Sequence, residues 1–383
     1  MFNYYQPSRI HFGKGRLEEL GQIASKYGKK CLLVTTPNEA PLYKLFQRVK
    51  DILKKSDIDT VQFDKVIPNP TVEIVNQGFE LAKEAEVDFV LAVGGGSSID
   101  TAKIIALTYG LDAIDWDIMY GTYTSPFEQY EPVSEKALPL LAVSTTSGTG
   151  SQVTQAAVIS RGAEKNTIFH PQNFSRECIV DPELMTTLPA RITASTGFDA
   201  FTHAFESYIN KNASTMTEIQ CLKSMELVIN NLEKAMKDGS NLEYRENLAV
   251  ADTLAGSGLA NAGAAAPHPL SEIIGGITHI SHGESLAIVF PAFVKNSHKE
   301  NVKKFADVAR LFNVELQNVS DEEASEKLYD ELVSFLEKVN LRKTLKDFNI
   351  SEEQLKEVME CPVLGFLPFG SKEYLQNIIK ESY

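Results

Sequence analysis

Asp199, His203, His268 and His282 are the residues of this chain best suited to doing chemistry. The first two stand four apart in the run GFDAFTHAFESYI (197–209), so on a helix they share one face, one turn apart. His268 and His282 are fourteen apart (282 − 268) in APHPLSEIIGGITHISHG (266–283). One carboxylate and three imidazoles can hold Fe(II) or Zn(II), and ligand type alone separates these two metals poorly. A lone Asp-x3-His pair is more often a surface pair or a capped core histidine, and His-Gly is common in loops. The combination says more. Four of the seven histidines fall between His203 and His282, amid mostly apolar and small residues. An imidazole buried there needs partners, because each unpaired polar group costs about 1–3 kcal/mol.

A second pattern lies upstream. The apolar run DFVLAV (88–93) leads into Gly94-Gly95-Gly96-Ser97-Ser98, and a helix is expected to restart near Ile99. Strand, glycines and helix N-terminus together leave backbone N–H groups facing outward at the positive end of a helix dipole, where a pyrophosphate fits. The loop is not the G-x-G-x-x-G fingerprint, and three glycines also serve a simple tight turn. PLLAVSTT (139–146) reads as a further strand, with Thr145, Thr146 and Thr149 clustered at its end beside Gly148 and Gly150.

These runs carry a resemblance. VGGGSSIDTAK (93–103), STTSGTGS (144–151), IVDPELMTTLPARITASTGFDAFTHA (179–204) and SHGESLAIVFP (281–291) resemble the iron-containing (group III) alcohol dehydrogenase family in order and spacing. The resemblance spans roughly residues 9 to 295. It implies that Asp199, His203, His268 and His282 ligate one divalent metal, typically Fe2+, with Zn2+ or another divalent ion as alternatives. It also implies a nicotinamide dinucleotide held by Gly95, Gly96, Ser97, Ser98 and Asp100 around the glycine loop. Asn69, in the turn Pro68-Asn69-Pro70, would join them, with Thr145, Thr146 and Thr149 at the nicotinamide end. Lys165, sixteen residues before Asp181, takes the place of the family's ribose-contacting lysine, and Leu184 and Leu188 complete the set. NAD-preferring relatives carry an aspartate where this chain has Thr36, flanked by the uncharged Thr35, Pro37 and Asn38. Without that carboxylate nothing repels a 2′-phosphate, so NADP(H) is favoured over NAD(H), with Glu39 the nearest acid. The reaction implied is reversible hydride transfer between a small alcohol or aldehyde and the nicotinamide, the metal polarising the alcohol oxygen. Many relatives have a proton-relay histidine four residues after the third ligand. Here that position is Glu272, and His279 is the other titratable group nearby, so these two are the candidate catalytic residues.

The elements that must position these groups follow from periodicity. Residues 1–13 read as a short strand pair, 17–26 as a helix, and KKCLLVTT (29–36) as a buried strand. A helix through Leu45, Val49 and Leu53 precedes a strand near Thr60–Phe63, and Thr71 is the expected N-cap of a helix over Val72–Ala85. Such alternation predicts an α/β dinucleotide-binding domain with a parallel, doubly wound sheet, residues 1–188. Residues 110–137 read as an irregular excursion. From 189 to 383 an all-α metal-binding domain is expected, with helices over 193–210, 215–238, 244–262, 301–312, 321–338 and 351–359. Pro267 and Pro269 should end or kink the helix before them. The C-terminal run CPVLGFLPFGSKEYLQNIIKESY lacks the N-P-R segment frequent in relatives.

At 383 residues two domains are expected, and a net charge of −14 argues against nucleic acid or an anionic membrane as partner. Four scattered cysteines suit a reducing compartment. The N-terminus shows no basic and apolar leader, and no run approaches the roughly 20 apolar residues of a membrane span, so a cytoplasmic location is expected. The resemblance makes a homodimer or larger homo-oligomer the default. Two alternatives remain at this point. A sugar-phosphate lyase of the dehydroquinate synthase type would share the fold but need a basic phosphate-gripping cluster. A metal-free dinucleotide-binding protein without catalysis would not need the four ligands.

Overall fold

The computed structural model describes residues 1–162 and 164–383. They form two compact units: Asn3–Leu188 with Ser240–Ala249, and Pro189–Gly239 with Val250–Tyr383 and the first two residues.

The first unit is built on a six-stranded sheet in the order β1-β8-β5-β4-β2-β3, every pair parallel. Its strands are β1 (Arg9–Phe12), β2 (Lys30–Val34), β3 (Asp59–Phe63), β4 (Phe89–Gly94), β5 (Leu140–Ser144) and β8 (Glu177–Val180). Central strands covered on both faces must be apolar throughout, and β4 and β5 are buried at every residue. Successive side chains go to opposite faces. Leu32, Val34, Val90 and Ala92 pack with α3 (Val72–Ala85) and α4 (Gly96–Thr108). Cys31, Leu33, Phe89 and Leu91 pack with α1 (Leu20–Ala24) and α2 (Tyr43–Lys55). The sheet is therefore doubly wound. The chain leaves β2 towards β3 and leaves β4 towards β5, in opposite directions, so their neighbouring C-terminal ends diverge. That divergence is the crevice where open α/β sheets take their ligands.

Several local expectations needed correction. Residues 1–13 contain one strand, not a pair, and β1 pairs with β8, Ile10 opposite Cys178. The Ile10/Phe12 alternation signalled a half-buried strand but not its distant partner. The segment expected as one helix over 17–26 splits into a 3-10 turn (Arg16–Glu19) and the short α1. α4 starts at Gly96, three residues earlier than expected. Within 110–137 lies a helix, α5 (Trp116–Thr122), capped by Asp115, which accepts from the amides of Asp117 and Ile118. Thr71 occupies the N-cap of α3, but its hydroxyl makes no cap bond there. An unexpected antiparallel hairpin, β6 (Ala156–Arg161) and β7 (Glu164–Phe169), precedes β8.

The second unit is helical among its described residues: α6 (Ala190–Ile209), α7 (Thr215–Lys237), most of α8 (Leu242–Ala262), α9 (Pro267–Thr278), α10 (His282–Ser297), α11 (Val302–Phe312), α12 (Asp321–Lys338), α13 (Glu352–Glu360) and α14 (Lys372–Glu381). α6 is its axis. Every residue from Gly197 to Tyr208 is buried, and Phe198, Phe201 and Phe205 pack against Phe290 of α10. A helix buried all round cannot send its polar residues to water, so those it carries must meet partners inside. The small-residue end of α8 lies close to its neighbours, where a Cβ on Gly258 would come within 2.6 Å of the Cys221 sulfur. α8 stops at Ala262, and α9 opens with Pro267 in its first turn, where a missing N–H costs nothing. His268 thus sits in a helical first turn.

Candidate metal centre and dinucleotide loop

α6 presents Asp199 and His203, the first turn of α9 presents His268, and the first residue of α10 is His282. The three imidazoles converge on one oxygen. Asp199 Oδ1 lies 3.6 Å from His203 Nδ1, 3.4 Å from His268 Nε2 and 3.5 Å from His282 Nε2. The ligand atoms of Asp199, His268 and His282 lie within 4.8 Å of one another. His203 stands outside that tightest group, its ring stacked on that of His268 with centroids 4.2 Å apart. Asp199, His203 and His268 are buried, whereas the His282 side chain is 32% exposed, which leaves one open side.

Buried Asp199 Oδ1 and His268 Nε2 have no hydrogen-bond partner. They face each other at ion-pair distance without hydrogen-bond alignment, as atoms do when both aim at a common point. Burial alone would raise the Asp199 carboxyl, but the imidazoles of His203, His268 and His282 reverse this and hold it well below the usual carboxylate range. Burial would lower His268, yet the carboxylates of Glu206 and Asp199 push it up to about 10. Two carboxylates enclosed together demand positive charge, and a divalent cation supplies it. This donor set therefore fits a divalent metal.

Two further contacts orient the rings. His268 Nδ1 bonds the Glu206 carboxylate at 2.6 Å, which directs Nε2 towards Asp199. Ser271 donates to the His268 carbonyl oxygen, so His282 Nδ1 donates to the Ser271 hydroxyl at 3.3 Å and its Nε2 also faces Asp199. The close approach of α10 to α6 depends on Gly283, where a Cβ would meet the Ser195 carbonyl oxygen at 2.5 Å. Glu206 was missed by sequence reasoning, although it stands three residues after His203 in the same motif and so shares its face of α6. Of the two candidate catalytic residues, Glu272 is half-buried one turn beyond His268. His279 is exposed in the left-handed conformation that ends α9 (φ 60°).

The expected dinucleotide residues lie at or beyond the C-terminal ends of the strands. Thr36 is half-buried after β2, and Asn69, with φ 53°, follows β3. Gly95 is the N-cap of α4, with Gly96, Ser97 and Ser98 in its first turn. The glycine loop rests on the threonine loop after β5: a Cβ on Gly95 would stand 3.0 Å from Thr146, and one on Gly96 2.7 Å from Thr149. Thr145 donates its backbone N–H to the Gly94 carbonyl. The structure thus brings the two motifs together and leaves the α4 N-terminus free of a side-chain cap. Leu184 and Leu188 follow β8 and pack into the apolar clusters on opposite faces of the sheet.

Asp100 and Lys165 are placed differently. Both Asp100 oxygens are taken within the protein, Oδ1 by the Ser151 hydroxyl at 2.5 Å and Oδ2 by the Val158 N–H at 3.0 Å. Asp100 thereby ties α4 to the hairpin, and Lys165 lies on that hairpin opposite Ser160. Lys103, one turn further along α4, is completely buried and bonds Ser151, Thr154 and the Ala156 carbonyl. Burial lowers its ammonium to about 8 against the supporting charge of Asp100.

The sequence matches the iron-containing alcohol dehydrogenase model over residues 7–182 and the C-terminal model of the Fe-containing alcohol dehydrogenase family over 193–365. The chain belongs to this family. It is 33% identical over 357 residues to long-chain-alcohol dehydrogenase 1 of Geobacillus thermodenitrificans, covering 93% of this chain and 89% of that protein. It is 31% identical over 366 residues to a probable NADH-dependent butanol dehydrogenase of Bacillus subtilis, covering 94% and 92%. Among solved structures it is similar to an archaeal halo-thermophilic alcohol dehydrogenase from a Red Sea brine pool, at 30% identity and a TM-score of 0.90 over 100% and 99% of the two chains. The match decides for an alcohol dehydrogenase over the lyase alternative. No helix among the described residues is long and apolar enough to cross a membrane.

Proposed function

We propose that this family member is a metal-dependent alcohol dehydrogenase and aldehyde reductase for small alcohols, using NADP(H) in preference to NAD(H). The observation that carries the metal is the convergence of three imidazole nitrogens on Asp199 Oδ1 within 3.6 Å. Asp199, His203, His268 and His282 would hold Fe2+, Zn2+ or a similar divalent ion, which when bound supplies Lewis acidity to an alcohol oxygen. The chain's own residues do the rest. Glu206 and Ser271 orient the rings, while the uncapped α4 N-terminus and its glycines receive the pyrophosphate. Glu272 passes the alcohol proton towards solvent, with His279 at the exposed end of the same helix.

The coenzyme preference rests on Thr36 and its uncharged neighbours at the end of β2, with Glu39 exposed beyond them. The protein works as a homodimer or larger homo-oligomer in the cytoplasm, without nucleic acid or membrane partners. Metal analysis of the purified protein, with NADPH and NADH titrations against an aldehyde panel, tests the reading. One metal per chain and a higher kcat/KM with NADPH are expected. A clear preference for NADH rejects the coenzyme assignment, and a fully active metal-free protein rejects the metal assignment.

A further inference from the structure

We infer that Glu206 is a positioning residue that sets metal affinity by fixing both the His268 ring and the interhelical segment before it. This rests on the metal reading above and goes beyond the four ligands. Glu206 is completely buried on α6, and its two oxygens have different tasks. Oε1 accepts the His268 Nδ1–H at 2.6 Å, so with a metal bound the ring is held as the tautomer whose Nε2, the atom facing Asp199, is free to ligate. Oε2 accepts the Ala265 N–H at 2.6 Å.

Ala265 belongs to the gap between the end of α8 at Ala262 and the start of α9 at Pro267. The same gap is held to α6 at two more points. The Ser207 hydroxyl donates to the Gly263 carbonyl at 3.2 Å, and the Asn210 amide donates to the Ala264 carbonyl at 2.7 Å. Glu206 and Ser207 in the last turn of α6, with Asn210 at its C-cap, therefore fasten three consecutive residues between the end of α8 and the start of α9. That segment delivers His268. Glu206 is the only one of the three that grips both the segment and the ligand.

A carboxylate is required chemically. Both of its oxygens accept, as two N–H donors demand. A glutamine at 206 can accept from only one of them and turns its own NH2 towards the other, donor against donor. Orienting partners of metal-bound histidines typically change affinity by about 10–100-fold when removed.

The test compares the wild type, Glu206→Gln and Asn210→Ala after removal of metal, by chelator competition with Zn2+ and by the visible spectrum after Co2+ loading. Glu206→Gln should bind Zn2+ about 10–100-fold more weakly and shift the Co2+ bands, because one ring is misaimed. Asn210→Ala loosens the segment without touching His268, and its Co2+ spectrum should match the wild type. Wild-type affinity together with a wild-type Co2+ spectrum in Glu206→Gln overturns the inference while leaving the metal reading intact. A wild type that binds neither ion defeats the metal reading itself. If Glu206→Gln does not fold, proton NMR of the Zn2+-loaded wild type decides. A far-downfield ring N–H that disappears in His268→Asn is expected, and its absence overturns the proposal.

Discussion

Each of the two units encloses an aspartate on a central helix, Asp199 buried and Asp100 with its side chain 13% exposed, and the two are neutralised in different ways. Asp100 on α4 is saturated: Ser151, Val158 and the Lys103 ammonium, 3.6 Å away, occupy its oxygens. Asp199 on α6 faces three imidazoles, and its Oδ1 has no hydrogen bond. Their acidities move in opposite directions. Burial raises Asp100 despite Lys103, whereas at Asp199 burial is outweighed by the surrounding imidazoles and the carboxyl is lowered. A buried carboxylate whose acceptor sites are filled by donors is part of the framework. One ringed by nitrogens that also offer lone pairs is a place for a cation.

Removing the neutralising group should separate the two cases, and the largest effect on stability belongs to the saturated one. Lys103→Met leaves the largely enclosed Asp100 without its fully buried cation, and breaking a buried pair costs about 3–5 kcal/mol. A large fall in the urea midpoint is expected, with the hairpin carrying Lys165 loosened. A midpoint within error of wild type would mean that Asp100 does not depend on Lys103. At the metal centre Asp199→Asn removes the buried charge itself rather than its partner, so it should cost far less stability while metal is lost.

The next effects are paired and come from two glycines. Gly96→Ala pushes a methyl to 2.7 Å from Thr149, so NADPH binding should weaken with metal content unchanged. Gly283→Ala pushes one to 2.5 Å from the Ser195 carbonyl oxygen, so α10 must shift and His282 with it. Metal affinity should fall there and dinucleotide binding hold, at an overpacking cost of about 1–3 kcal/mol. If either variant weakens both ligands equally, the division of labour between the units is wrong.

Smaller still is the effect expected at Glu272. Glu272→Gln should lower kcat about tenfold at neutral pH, the low end of general acid–base effects, and remove one limb of the pH–rate profile at constant metal content. An unchanged kcat and profile would return Glu272 to a structural role.

Much of this contrast was legible in the sequence, and the remainder has physical reasons. β2, β4 and β5 are buried on both faces and so read as continuous apolar runs. α3 begins and ends where its periodicity does. The four candidate ligands stood out because imidazoles are rare among small and apolar residues. Glu206 did not, since a glutamate near the end of a helix usually faces water; only the tertiary packing of α6 buries it. Lys103 was hidden for the same reason, its partners Ser151, Thr154 and Ala156 lying beyond two intervening elements. The single strand at the N-terminus was read as a pair because alternation reports burial, not the identity of the neighbour. α5 was missed because its seven residues carry too short a pattern, and its signal was the cap, Asp115.

The central claim is that Asp199, His203, His268 and His282 form one metal site on which turnover depends, separate from the loop that holds the dinucleotide. His268→Ala tests it most directly, with metal stoichiometry, NADPH affinity and aldehyde reduction measured on the same preparation. The account predicts loss of stoichiometric metal and of turnover, with NADPH binding close to wild type. A variant that reduces aldehyde at the wild-type rate without metal would contradict it.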